Sequence, residues 1–202
     1  VTLPNGAHSL FAYRERHASL PTNYAVPSAL STPGREFEFP EGYLHCRNSY
    51  FWSASQLATV TNSWTNLVLE SDIAAGPFEV ARLRHWSWRN AYGATPLTRK
   101  LLLERSPSPD GTTTGHPVWY LYGNADSLWP TLRAERLGAN ESRYTVWVRN
   151  DWGLPTEVVD TYQDGGTVAE RSWYYTYGAG DGRLLTQVEE PLANSQSRVA
   201  RE

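Results

Sequence analysis

His45 and Cys46 are the residues from which a nucleophile could be built, since a thiolate beside an imidazole is a common hydrolytic pair. Neighbours on a strand point to opposite faces, so this pair could not hydrogen-bond in that setting. No protease-like sequence surrounds Cys46, which reads as a buried, inert thiol acting as a small hydrophobe. Glu36, Glu38 and Glu41 could offer the paired carboxylates of a glycosidase. Their alternation with Phe37 and Phe39 instead marks the solvated face of an amphipathic strand. Asp151, Asp160, Asp164 and Asp181 fall near turn residues, where Asp bonds to local backbone. The run Asp160-Thr-Tyr-Gln-Asp164-Gly165-Gly166 is too sparse in carboxylates for a calcium loop. His8, His17, His45, His85 and His116 are scattered, without the pairing a zinc helix requires. A phosphate-binding glycine loop, a nucleophile elbow and a dinucleotide fingerprint are all missing from the sequence. The expectation is a chain with no catalytic residues, no metal and no cofactor.

The elements that would carry such residues are β-strands. Val80 to Trp88 puts Arg82, Arg84, Trp86 and Trp88 on one parity, and Pro117 to Tyr122 groups Val118, Tyr120 and Tyr122. Near the C-terminus Trp173, Tyr175 and Tyr177 share one face and Ser172, Tyr174 and Thr176 the other. A glycine turn follows, and then Leu184, Thr186 and Val188 alternate with Arg183, Leu185 and Gln187. Period two on both sides of a glycine turn predicts a β-hairpin. Arg99–Arg105 and Thr131–Leu137 are rich in helix formers, yet each is seven residues long and sits beside proline. Their position in the repeat described below predicts strands. Ser106–Gly115 is a loop by its Pro, Gly and Thr content, and Asn5-Gly6 and Pro33-Gly34 are turns. Prolines 21, 27, 33 and 40 exclude a long helix from the N-terminal stretch.

An aromatic residue followed by glycine recurs at Tyr92-Gly93, Tyr122-Gly123, Trp152-Gly153 and Tyr177-Gly178, in steps of 30, 30 and 25 residues. Trp88-Arg-Asn-Ala-Tyr92-Gly93 and Val148-Arg-Asn-Asp-Trp152-Gly153 share still more. Such periods belong to stacked architectures, in which each unit needs its neighbours to bury its apolar face. The organisation expected is residues 1–65 as a β/loop region without clear repeats, 66–191 as degenerate repeats, and 192–202 as a polar tail that frays.

A net charge of −3 over 202 residues, with no basic stripe, argues against nucleic acid. No apolar run reaches the ~20 residues of a membrane-spanning helix. One cysteine precludes an intrachain disulfide. The chain opens Val1-Thr-Leu-Pro and holds no methionine, which reads as a piece of a longer polypeptide. Asn140-Glu-Ser142 is a lone glycosylation sequon. Nine Trp and twelve Tyr against five Phe are unusual, and suit half-buried sheet faces as well as binding platforms.

Tyr175-Thr-Tyr177, followed by Gly182-Arg183-Leu184, resembles the YD repeat of the Rhs family, a bacterial group related to Tc toxin components and to animal teneurins. That unit runs Tyr-x-Tyr-Asp-x-x-Gly-Arg-Leu-x-x-Val. Here Gly178 replaces the Asp and one extra residue precedes Gly182, leaving Asp181 as the turn carboxylate. The copies at 92, 122 and 152 lack the Gly-Arg-Leu. The resemblance covers about residues 80–191. It implies stacked antiparallel hairpins forming part of a β-shell that encloses or presents a toxin or effector domain. It further implies a secreted or surface-exposed bacterial protein, with neighbouring shell segments or the enclosed effector as partners. The family's self-cleaving segment has no counterpart after Leu192. On this reading Tyr92, Gly93, Tyr122, Gly123, Trp152, Gly153, Tyr175, Tyr177, Gly178, Asp181, Gly182, Arg183 and Leu184 build a wall, and Gly182 takes positive φ in a turn closed by a bulge.

The alternative expectation is a carbohydrate-binding β module. Trp86, Trp88, Trp119, Trp147 and Trp173, with Trp129 and Trp152, are the side chains that could stack on sugar rings. Such a platform requires two or three of them exposed together on one face.

Overall fold

The computed structural model describes residues 2, 4, 6–16, 46–60, 76–87, 100–123, 127–137, 142–164, 167–178, 183–192 and 196–201. It is all-β, as the alternating runs predict. The chain divides into two compact units, and the division passes between Trp119 and Tyr120.

In the first unit β1 (Leu10–Arg16), β2 (Cys46–Trp52), β3 (Arg82–Trp86), β4 (Leu101–Arg105) and the start of β5 (Pro117–Leu121) pair antiparallel in chain order. Among the described residues two short helices follow β2: α1 (Ala54–Thr59) and α2 (Gly76–Glu79). Helix α1 begins at a capping box: Ser53 Oγ accepts from Gln56 N–H, and Gln56 Oε1 accepts from Ser53 N–H at 2.8 Å. Registered rows cross this sheet. Asn48, His85, Leu103 and Trp119 form one, and Tyr50, Leu83 and Arg105 the next. Their side chains are buried, and Phe78 of α2 packs on them, edge-on to Tyr50 at 4.7 Å and to Trp52 at 5.5 Å. Aromatic pairs in this geometry add to the burial of their area. A shift between the pairs His85–Leu103 and Trp86–Leu101 leaves Leu102 as the extra residue of a bulge, buried beside Leu103. The opposite face carries Phe11, Phe51, Arg82 and Arg84, with Glu104 bridging both arginines.

Two buried polar side chains of that core are tied to another side chain or to backbone. His85 Nδ1 donates to Asn48 Oδ1 at 2.9 Å, and Arg105 Nη2 donates to the carbonyls of Phe78 and Ala81 at 2.5 and 3.3 Å. Cys46 is buried, as expected. His45, Glu36, Glu38, Glu41, Phe37, Phe39 and the Pro33-Gly34 turn lie outside the described residues. Of the expected Asn5-Gly6 turn, Gly6 has φ of 80° between the bridged residues Thr2 and His8, and Asn5 lies outside the described residues.

The second unit holds the end of β5, then β6 (Leu132–Arg136), β7 (Ser142–Arg149), β8 (Pro155–Asp164), β9 (Thr167–Tyr177), β10 (Leu185–Leu192) and β11 (Gln196–Arg201). Each strand pairs antiparallel with the next, from β6 to β11. One face is a narrow apolar row of Leu132, Val146 and Val159, beside Ala134, Tyr144 and Thr161. On the other, Trp147, Val158 and Trp173 are direct cross-strand neighbours. Arg149 lies over Trp147 and Arg171 over Trp173, with 5.5 and 4.9 Å to the ring centroids. Cation–π contacts of this kind hold flat aromatic surface in place without enclosing it.

Both helix-former runs are strands, β4 and β6. Seven residues are too few for their propensity to nucleate a helix, and the flanking strands supply ladder partners. Ser106–Gly115 is a loop. The polar tail differs from expectation: Gln196–Arg201 is strand β11, laid along β10. Pairing satisfies its backbone groups although its side chains give little apolar signal.

Candidate functional site

The repeat positions of the second unit meet where its hairpins turn. The β5–β6, β7–β8 and β9–β10 connections all lie at the same end of an antiparallel meander, because each is two strands from the last. The aromatic-glycine pairs at 122, 152 and 177 each sit at one of these connections, so the repeat length is one hairpin. Tyr92-Gly93 falls in the β3–β4 connection, outside the described residues.

The tightest connection is Asn150-Asp-Trp-Gly153. Gly153 N–H donates to Asn150 O at 2.9 Å, closing the turn, and Asn150 N–H donates to Leu154 O at 2.9 Å. The Asn150 side-chain oxygen accepts from the N–H groups of Trp152 and Leu154 at 3.1 and 3.0 Å. Gly153 has φ of 77°, the left-handed region that a β-carbon disfavours. A register shift between Val148 and Arg149 accompanies it, as in a turn closed by a glycine bulge. Gly153 is thus a bulge glycine; Gly182, where the sequence predicts one, lies outside the described residues, as does Asp181.

The neighbouring connections reach over this turn. Trp129 lies against Gly153 so closely that a β-carbon there would stand 2.4 Å from Trp129 Nε1. From the other hairpin, Arg183 lies over the Trp152 ring at 4.0 Å. Arg149 braces the turn from below, donating through Nη1 to Gly153 O at 2.9 Å and through Nε to Pro130 O at 3.3 Å. Burial draws its guanidinium below the ordinary value, with the nearby Tyr177 phenol acting the other way. Burial raises the Tyr177 phenol, which donates to Pro155 O at 2.8 Å.

The other two connections are built alike. Thr131 Oγ1 donates to Leu121 O at 3.3 Å, and Thr186 Oγ1 donates to Thr176 O at 3.0 Å. In both, the acceptor stands two residues before the glycine. In both, the threonine methyl covers that glycine, 3.4 Å from a β-carbon at Gly123 and 3.6 Å from one at Gly178. The signal is present in the sequence as Tyr-Gly-x-x-Asp-x-x-x-x-Thr, at Tyr122–Thr131 and again at Tyr177–Thr186. Searching for Gly-Arg-Leu after each aromatic-glycine pair misses it, because only the second copy has that tripeptide.

Between the β5–β6 connection and the β7–β8 turn lies a cavity of about 560 Å³, with Trp129 and Trp152 on its walls and Asp151 and Asn150 at its rim. Trp129 is 52% exposed and Trp152 54%, and Leu128 and Leu184 are more exposed still. The expected sugar platform is not assembled as read. Trp119 is 1% exposed, sealed in the first unit's core. Trp88 lies outside the described residues. Trp86 is half-buried and donates through Nε1 to Ser49 Oγ at 3.2 Å. Trp147 and Trp173 do share a face, but half-buried and separated by Val158. Tyr175 and Tyr177 lie half-buried on that same face. No cluster of three or more metal-ligating side chains occurs among the described residues, and none of their helices is long and apolar enough to cross a membrane.

Compared with known protein families, with curated proteins and with solved structures, the chain has no match.

Proposed function

We propose that this chain is a non-catalytic scaffold, a segment of a hairpin wall of the Rhs/YD-repeat kind that encloses or presents an effector domain in a secreted or surface-exposed bacterial protein. The observation that carries the reading is the shared geometry of Tyr122–Thr131 and Tyr177–Thr186: glycine under a threonine methyl, and threonine hydroxyl bonded to the carbonyl two residues before that glycine. A repeated turn of this kind sets a repeated hairpin spacing. Trp129 over Gly153 and Arg183 over Trp152 then tie each hairpin end to the next. Residues used in this way are positioned by backbone and by one another, as the stacked units of a wall require. A half-exposed sheet of this sort gains stability from further hairpins added at its edges.

Reading the gene on both sides of this segment tests the proposal. Further Tyr-Gly-x-x-Asp hairpins followed by an unrelated C-terminal domain are expected. A frame that holds neither would overturn it. Light scattering on the isolated chain should show association that rises with concentration, and a clean monomer at high concentration would count against the wall.

A further inference from the structure

We propose that the cavity between the β5–β6 connection and the β7–β8 turn is a binding site for a neutral sugar ring, with Trp129 and Trp152 as stacking surfaces and Asp151 as the hydroxyl-binding group. The inference is independent of the scaffold reading.

Size is the first support: about 560 Å³ falls within the range of small-molecule sites. The second is that both indoles are held in place yet left half-exposed. Trp129 is seated on Gly153, and Trp152 has one face under Arg183, so neither is free to swing into a core. Side chains fixed before a ligand arrives lose little entropy when it binds. An indole face suits the C–H face of a pyranose, which is apolar although its rim carries hydroxyls.

Charge selects among ligands. Among the described residues the lining contains one guanidinium, Arg149, and one carboxylate, Asp151. Arg149 is committed to Pro130 O and Gly153 O, and the Asp151 carboxylate in the same lining repels an anionic ligand. A cationic ligand would meet Arg183 already on the Trp152 ring. Asp151 is exposed and lines the cavity, and the turn is closed by Asn150 rather than by it. Its two oxygens suit a pair of adjacent hydroxyls, which a carboxylate accepts together.

The test titrates the full chain with maltohexaose, cellohexaose, mannohexaose and chitohexaose, read by tryptophan fluorescence and calorimetry. At least one should bind saturably, Asp151→Asn and Trp152→Ala should each weaken it about tenfold or more, and Trp173→Ala should leave it unchanged. Asp151→Asn should melt with the parent, so its loss of binding is not a loss of fold. Absence of binding by all four sugars up to about 10 mM, a free-energy threshold near −2.7 kcal/mol, would overturn the site. So would binding that Asp151→Asn leaves intact. A fluorescence change that follows protein concentration without sugar and that Trp152→Ala abolishes would make the cavity a contact between copies and overturn it as well.

Discussion

The two units place their aromatic residues differently. In the first, Tyr50, Trp52, Phe78 and Trp119 are enclosed, because the connection after β2 carries α1 and α2 and sets Phe78 over one sheet face. In the second, Trp129, Trp152 and Tyr174 stay about half exposed, and the β7–β8 connection is a tight turn with nothing to spare for a cover. An antiparallel sheet acquires a core where a connection is long enough to return over it. Where turns are tight, it is held by cross-strand pairs, by cations on rings and by contacts between hairpin ends.

The largest expected effect breaks the first unit. Phe78→Ala removes the ring that meets Tyr50 and Trp52 edge-on, and should cost about 3–5 kcal/mol in urea unfolding. A removal of similar size from the second unit, Tyr174→Ala, should cost well under half of that, since Tyr174 is already exposed. Equal losses would remove the contrast between the units.

Next is the hairpin end. Gly153→Val forces a β-branched residue to φ near 77° and into the Trp129 indole, and should cost roughly 2–3 kcal/mol with a change in tryptophan fluorescence. Gly178→Ala should be far milder, because Gly178 is not at positive φ and the added carbon would lie 3.6 Å from the Thr186 methyl. If the two substitutions cost the same, the bulge is not what pins the turn. Asn150→Ala removes two side-chain bonds to the N–H groups of Trp152 and Leu154 and should cost about 1 kcal/mol in thermal unfolding.

The smallest effect returns to the first unit's surface. Asp110 accepts from the Thr113 hydroxyl and N–H and from the Thr112 N–H, and these bonds hold its carboxyl well below the ordinary carboxylate range. A depressed folded value means the stabilisation is fully present above the unfolded value near pH 4 and lost as pH falls below it. Asp110→Asn should therefore lower Tm slightly at pH 7, with the difference from the parent shrinking in strong acid. A difference that is constant from pH 7 to pH 1 would contradict this origin.

Much of the candidate site was legible. The spacing of aromatic-glycine pairs located three hairpin ends, and Asn150-Asp-Trp-Gly153 carries residues that such a turn favours. Helix α1 was missed although Ser53-x-x-Gln56 has the form of a capping box, because a six-residue helix gives too short a window for periodicity. The matching threonines Thr131 and Thr186 were missed because the tripeptide sought after each glycine differs between copies, while the hydroxyl and methyl that do the work do not.

By itself the sequence determined strands β3, β5, β9 and β10 and the places of three hairpin ends, but not β11. Alternation of period two and turn residues act over a few positions, and the repeat spacing placed Arg99–Arg105 and Thr131–Leu137 as strands against their helix propensity. Only the tertiary structure decided which aromatics would face water. Trp119 and Trp129 stand ten residues apart, each beside hydrophobic neighbours, yet one is 1% exposed and the other 52%. Burial depends on what the rest of the chain lays over a face, and for Trp119 that neighbour set comes from strands far away in sequence, whereas Trp129 lies against the glycine of a turn.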